Sequence, residues 1–454
     1  MKSSGPDSPG LPAPSPAGSA AGQASGVGTA GGAAPGGAEN GGGTAPGVGP
    51  IGSPSGSAPG AAANPAPGLV AVLAPGAGDP LGQLPLSMRE VLDNLEGLGV
   101  YITDTDRRIL FWNKAAALIT GYSSAEILGR ACRDNVLCHV DRHGRSLCES
   151  TVCPLAHCMA CGQAGSARTF VFALSREGKR VPMSVSVSPI KDGEGRVVGG
   201  MEVFREASRE VQDLELAQTV QRQWLPQPAQ LVRWPFLGYA CCMAEMVGGD
   251  LARLFPGPGG TVAGLLADIS GHGVASALLT GFLVSNLLPL EGTVDQPAEI
   301  LRHLAGIYAR SGLSSHYYSA QAFVYDPAAR RLRLANAGHP PPILIEADGT
   351  GRFLELPSDL IGLFDSLEFA EPPEIDLAGK RLIIYSDGMT EAPNPRGKRI
   401  GEAGLLELAR EGVALPPARQ AQALIDAVFA FTDAPDPVDD LTILVIDGGP
   451  SPSS

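Results

Sequence analysis

Between Val181 and Ser188 apolar and polar residues alternate one by one, the period of a strand with one buried face. Turn-forming clusters bound the run, Arg176-Glu177-Gly178 before it and Lys191 to Gly195 after it. Val100–Thr103 and Ile109–Trp112 are shorter apolar runs around a polar turn, Asp104–Arg108. Together these segments predict an α+β domain at 87–206, with strands at both ends and short helices between. From 207 to 226 the period changes. Val211, Leu214, Ala217 or Gln218, Val220 or Gln221, and Leu225 recur at helical spacing in a charged, Gln-rich segment that Pro226 ends. So short a stripe suits a coiled coil with a second copy of the chain, or packing on its own chain.

From Phe236 to Asp447 the two periods come in blocks. "FLGYACCMAE", "TVAGLLADIS", "SAQAFVYD", "RLRLANAG", "PPILIEAD", "RLIIYSDG" and "LTILVID" predict strands. "GVASALLTGFLVSNLL", "PAEILRHLAGIYARS", "GEAGLLELAREG" and "ARQAQALIDAVFAFT" predict helices. Strands joined by short turns, with helices in groups, predict a sheet sandwich flanked by helices over 227–448. Gly273–Leu290 carries no charge and approaches membrane length, but Ser276, Thr280, Ser285 and Asn286 interrupt it and Pro289 closes it. A buried helix is expected there, and no membrane span.

Composition changes the picture at the ends. Residues 1–86 are Gly, Ala, Pro and Ser with little else, too poor in apolar surface to offset chain entropy, and are expected to be disordered. A short tail follows at 449–454. No apolar core of a targeting segment is visible near the N-terminus, so a cytoplasmic protein is expected. A net charge of −14 argues against nucleic acid as a partner.

Candidate chemistry sits where carboxylates meet strand ends. Asp250 closes "EMVGGD" after a strand, Asp268 closes "VAGLLAD", Asp387 follows "RLIIYS", and Asp439 and Asp440 open "LTILVID". Singly, each is an ordinary turn or helix-cap residue. Brought together they would repel, and a hard divalent cation relieves such repulsion. Two such ions could share a water, lower its pKa and aim it at phosphorus. No Ser-His-Asp order, kinase signature or phosphate-binding Gly-Lys-Ser/Thr loop is present.

Two families are resembled. "GVYITDTDRRILFWNKAAALITGYSSAEILGR" and "KDGEGRVVGGMEVFRE" resemble the opening and ending of a PAS sensor domain. "EMVGGD", "ADISGHGVASAL", "NAGHPPPILI", "YSDGMTEAPNPRGKRIG" and "DDLTILVI", in that order, resemble the SpoIIE/RsbU-type branch of the metal-dependent PPM Ser/Thr phosphatases, and "LAQTVQRQWLPQ" resembles that branch's entry helix. The resemblance implies an α-β-β-α sandwich around two Mn²⁺ or Mg²⁺ ions. Asp250, Asp268, the carbonyl of Ile269, Asp387 and Asp439 would be ligands, with Asp440 the weaker choice of its pair. Gly248, Gly249, Gly271 and Gly273 would allow close backbone approach. His272 could act as general acid or tie a helix start, and His339 could fix a loop. The branch's Ser-Gly-His-Gly does not align cleanly with the wider family, so the histidine role is not carried over.

Six cysteines, Cys132, Cys138, Cys148, Cys153, Cys158 and Cys161, fall in one stretch with His139, His143 and His157. They suit a metal, an iron–sulfur cluster or a thiol switch, or else are small buried hydrophobes; the PAS ligand stays open. The combined expectation is a disordered tail, a PAS sensor, a signalling helix and a phosphatase acting on phosphoserine or phosphothreonine through a metal-bound hydroxide. By resemblance the substrate would be a phosphorylated STAS-domain anti-sigma-factor antagonist, and the chain would form a homodimer through the PAS domain and helix. The competing readings are a non-catalytic PAS-gated scaffold and a redox or metal sensor whose cysteines are the main chemistry.

Overall fold

A computed structural model describes residues 86–450, apart from 135, 149–152, 167–169, 272, 314–315, 357, 364–367 and 370–371. The expected disordered tail falls almost wholly outside them, and His272 does so as well.

The first domain begins with helix α1 (Leu86–Asp93) and the hairpin β1 (Gly99–Asp104) and β2 (Ile109–Trp112). Short helices α2 (Lys114–Thr120), α3 (Ser124–Ile127) and α4 (Pro154–Cys161) follow. Strands β3 (Gly165–Ser166), β4 (Val171–Leu174), β5 (Arg180–Lys191) and β6 (Val197–Glu206) complete an antiparallel sheet, ordered β2-β1-β6-β5-β3 with β4 also on β5. Asn113 explains how the hairpin hands over to the helices. Its carboxamide oxygen accepts the N–H groups of Val100 and Ala116, capping α2 against β1. The alternation predicted at Val181–Ser188 lies inside β5, where Met183, Val185 and Val187 face a core with Tyr101, Trp112 and Phe204.

Helix α5 (Ser208–Trp224) leaves this sheet, and α6 (Pro228–Arg233) follows. The predicted stripe is buried against the same chain through Val211, Gln221 and Leu225, while Leu216 and Val220 are exposed.

The second domain contains two antiparallel five-stranded sheets. The chain runs β7 (Leu237–Cys242), β8 (Asp250–Pro256), β9 (Val262–Ile269), α7 (Val274–Leu287), α8 (Pro297–Ser311), β10 (Tyr318–Asp326) and β11 (Arg331–Ala337). Then come β12 (Ile343–Ile345), β13 (Gly351–Phe353), β14 (Ile375–Asp376), β15 (Arg381–Tyr385), α9 (Gly388–Glu391), α10 (Gly401–Glu411), α11 (Pro417–Thr432) and β16 (Leu441–Asp447). One sheet is ordered β14-β11-β10-β9-β8, the other β13-β12-β15-β16-β7. Leu254, Leu266, Phe323 and Leu334 of the first meet Leu382, Ile384, Leu444 and Ile446 of the second in one core. Outside, Leu283, Leu301 and Leu304 of α7 and α8 cover the first sheet, and Leu424, Ile425 and Val428 of α11 cover the second. Both faces of the central strands are therefore dry, which is why β9, β10, β15 and β16 read as almost unbroken apolar runs. The layers are α-β-β-α, as expected. Among the described residues, no helix is long and apolar enough to cross a membrane.

One expectation needs correction. Asp250 follows a strand as expected, but it is also the first residue of β8, which was not among the expected strands and whose Leu251, Leu254 and Phe255 follow it.

Candidate active site

Strands β8 and β9 pair so that Asp250 stands directly opposite Asp268. On the other side of β9, Ser319 of β10 stands opposite Asp268. The second sheet brings its own carboxylates to the same end of the sandwich: Asp387 lies two residues past β15, and Asp439 and Asp440 immediately precede β16. Hydrogen bonds join the two sheets there. The Thr442 hydroxyl donates to Asp250 Oδ2. Ser386 accepts the Thr442 N–H through Oγ at 3.0 Å and donates that hydroxyl to the Asp440 carbonyl at 3.2 Å.

These carboxylates feel one another. Asp250 is 1% exposed, and burial, then Asp268 and Asp440, hold its pKa well above the usual carboxylate range. Burial, then Asp387, Asp439 and Asp440, push Asp268 up to about 7. Burial, then Asp439 and Glu391, push Asp387 up to about 6. Folding has concentrated negative charge where the sequence placed it.

Asp439 and Asp440 divide their work. Asp440 is buried, and its carboxylate accepts the N–H groups of Ala244 at 2.8 Å, Gly249 at 2.7 Å and Asp250 at 3.3 Å. It holds the β7–β8 loop. Asp439 is exposed, and one of its oxygens accepts the Asp440 N–H. Gly248 shows how close the loop comes, since a Cβ there would lie 2.1 Å from Asp440 Oδ2. A Cβ on Gly249 would lie 2.7 Å from the Ile269 carbonyl oxygen.

Oxygen donors of like charge, with a backbone carbonyl facing the same narrow space, have the chemistry of a hard divalent cation site. Among the described residues no three His, Cys, Asp or Glu side chains are drawn together as a finished metal group. The donor set fits Mg²⁺ or Mn²⁺ in kind, with the carboxylates near enough to shift one another's pKa.

Two residues of the site were not singled out from sequence. Gln221 of α5 is buried, donates Nε2 to the Gly248 carbonyl at 2.7 Å and accepts the Gly248 N–H at 3.1 Å. Gln218, one turn earlier, donates to the Met246 carbonyl. The helix leaving the first domain thus holds the loop that ends in Asp250. The signal was present, because Gln218 and Gln221 fall on the apolar stripe.

His272 lies outside the described residues. His339 is 4% exposed, its Nδ1 is 2.8 Å from the Ser319 hydroxyl, and burial pulls its pKa down to about 3. A neutral ring so buried supports its loop and the β10 edge.

The cysteines differ in burial. Cys132, Cys148 and Cys153 are buried in the first domain with Glu202 and His139, and burial pushes Cys132 up to about 12 and Cys148 up to about 11. Cys158 and Cys161 lie on α4, the former buried and the latter exposed. Cys138 is partly exposed. None of them is in a disulfide.

Residues 258–448 match the family described as Stage II sporulation protein E (SpoIIE), and residues 97–209 match a PAS domain. The phosphoserine phosphatase RsbP of Bacillus subtilis (strain 168) is 29% identical over 187 residues, covering 39% of this chain and 45% of RsbP. The phosphoserine phosphatase RsbU of the same organism is 21% identical over 256 residues, covering 56% of this chain and 76% of RsbU. Among solved structures, the SiaA-PP2C domain of Pseudomonas aeruginosa aligns with a TM-score of 0.47 at 23% identity, over 53% of this chain and 97% of that one. The match spans less than half the length of RsbP. The chain joins a PAS domain to a domain of the Stage II sporulation protein E family.

Proposed function

We propose that the protein is a metal-dependent phosphatase that hydrolyses phosphoserine or phosphothreonine on a protein, under control of its PAS domain. The observation that carries this reading is the meeting of Asp250, Asp268, Asp387 and Asp439 at one end of a sandwich that matches the sporulation family. Two Mg²⁺ or Mn²⁺ ions, when bound, would offset the carboxylates and acidify a water for attack on phosphorus.

The chain's own residues have separable tasks. Asp250, Asp268, Asp387, Asp439 and the Ile269 carbonyl would hold the ions. Asp440 holds the loop before Asp250, and the small Gly248 and Gly249 let that loop approach. Thr442 ties the second sheet to Asp250 of the first, and Ser386 holds the Thr442 backbone. His339, buried against the Ser319 hydroxyl, supports its loop.

The substrate belongs to the same proposal: a phosphorylated STAS-domain anti-sigma-factor antagonist, in the cytoplasm, by a homodimer joined through the PAS domain and α5. The exposed Leu216 and Val220, one turn apart on α5, support the dimer. The test is phosphate release from such a phosphoprotein and from an aryl phosphate, with and without Mn²⁺, for wild type and Asp387→Ala. Mn²⁺-dependent turnover lost in the variant is expected. A folded, metal-loaded wild type with no turnover on either substrate would favour a partner-binding scaffold.

A further inference from the structure

The sensor touches the candidate site at a second place besides α5. In the first domain, Asp141 organises a tight turn. Its Oδ1 accepts the N–H groups of His143 at 2.8 Å and Arg145 at 2.9 Å, and its Oδ2 takes Arg145 Nε at 2.6 Å. The turn presents its cations to one carboxylate in the segment between α11 and β16. Arg142 Nη2 donates to Asp436 Oδ1 at 2.8 Å, and Arg145 Nη2 donates to Asp436 Oδ2 at 3.2 Å. His143 Nε2 is 3.0 Å from Asp436 Oδ1. Backbone carbonyls on both sides are held too: Arg145 Nη1 reaches Pro435 at 3.3 Å, and Arg142 Nη2 reaches Met243 at 3.4 Å. Met243 opens the loop that Asp440 cradles; Pro435 and Asp436 lead into Asp439.

Asp440 anchors the end of this segment through its buried carboxylate, and the residues before it are more open. Val438 and Asp439 are exposed, and residues 433–440 form neither helix nor strand. They wall a cavity of about 250 Å³ that also takes in Glu391, Arg399 and Phe429. With the segment held this way, Asp439 lies close enough to raise the pKa of both Asp268 and Asp387.

We propose that Arg142 and Arg145 of the sensor are positioning residues for the candidate site, holding Asp439 toward the other carboxylates by their grip on Asp436. The inference rests on the phosphatase reading and adds the route by which the sensor sets it. Charge-assisted bonds from two guanidinium groups to the two oxygens of one carboxylate fix orientation as well as distance. Release of the grip leaves Asp439 held from its Asp440 side alone, and the site loses part of the preorganisation of one ligand. Partners behind a metal ligand typically change metal affinity by about 10- to 100-fold.

The experiment uses the full chain. Mn²⁺ binding is measured by titration calorimetry, aryl phosphate turnover is followed against Mn²⁺ concentration, and amide exchange is read over 433–441. The variants are Arg142→Ala with Arg145→Ala, Asp436→Asn and Asp436→Glu, with Arg196→Ala as a control in a surface ion pair of the same domain. The double alanine variant and Asp436→Asn are expected to weaken Mn²⁺ binding about tenfold and speed exchange over 433–441, at unchanged melting temperature. Turnover at saturating Mn²⁺ should return toward wild type, and Asp436→Glu should lie near wild type throughout. Unchanged binding and exchange in both disabled variants overturns the proposal, and so does faster turnover, which would make the contact inhibitory. If the wild type has no turnover at all, the phosphatase reading fails by itself, while calorimetry and exchange still decide whether the grip positions the segment.

Discussion

Asp250 and Asp268 face each other across neighbouring antiparallel strands, two carboxylates in a register position where like charges are unfavourable. A sheet built for stability alone would not pair them. Asp268→Asn is therefore expected to stabilise the metal-free protein by roughly 0.2–1 kcal/mol. The same change should reduce Mn²⁺-dependent turnover by about 100-fold or more, on the scale of removing one charge-stabilising group. Urea unfolding in the presence of a chelator, set beside phosphate release, checks both. A loss of stability would mean that the pair is compensated in some other way.

Asp439 and Asp440 are adjacent but should fail differently. Asp440→Asn weakens three backbone hydrogen bonds to a carboxylate, each of a kind worth about 1.5–3 kcal/mol. Its main effect should be a lower urea midpoint. Asp439→Asn should leave the midpoint within about 0.5 kcal/mol of wild type, as for exposed sites, and lower Mn²⁺ affinity instead. Equal effects of the two on stability would contradict this division.

Gln221→Ala strands both the N–H and the carbonyl of Gly248 in a buried place. Leaving such groups unpaired costs about 1–3 kcal/mol each. The variant is expected to unfold earlier in urea and to show faster amide exchange at 243–250 than at β16. Exchange that rises equally everywhere would argue for general loosening.

The sensor interior should carry its own pH dependence. Burial pushes Glu202 up to about 8 and pulls His139 down to about 4, and the two groups lie 3.7 Å apart. Tyr101, Cys132 and Cys148 also face Glu202, and Arg180 acts on His139. Glu202 is protonated in the folded chain up to about pH 8 but only up to its ordinary value when unfolded, so its contribution to stability falls as pH rises through that window. His139 works in the opposite direction, gaining stability from about pH 4 to its ordinary value. Subtracting the unfolding free energy of Glu202→Gln from that of wild type should give a difference that falls from about pH 5 to pH 8. A flat difference would show that Glu202 ionises freely in the folded state.

The sandwich was legible because β9, β10, β15 and β16 are apolar on both faces, so any carboxylate near their ends stands out. Asp250 was harder to place. It opens β8, where Arg253 interrupts the apolar run, and the strand is recognised only from its pairing with β9. The stripe left open whether Val220 or Gln221 faces inward; the structure buries Gln221 with Val211 and Leu225 and exposes Val220. The grip on Asp436 had no local signature at all. Arg142 and Asp436 are 294 positions apart, and neither sits in a motif. The cysteines were legible as a cluster in sequence, but not their burial, which separates the exposed Cys161 from Cys132, Cys148, Cys153 and Cys158.

One side chain, Gln221, closes both hydrogen bonds of a single peptide residue, and that makes its contact a measure of position. An α-helix advances about 1.5 Å and turns about 100° per residue. A slip of α5 by one residue would carry the carboxamide off both bonds together and set Arg222 or Val220 against Gly248 in its place. Neither can both donate and accept. The helix and the loop before Asp250 thus fit in one register and in no adjacent one, like a key whose teeth meet the lock at a single depth.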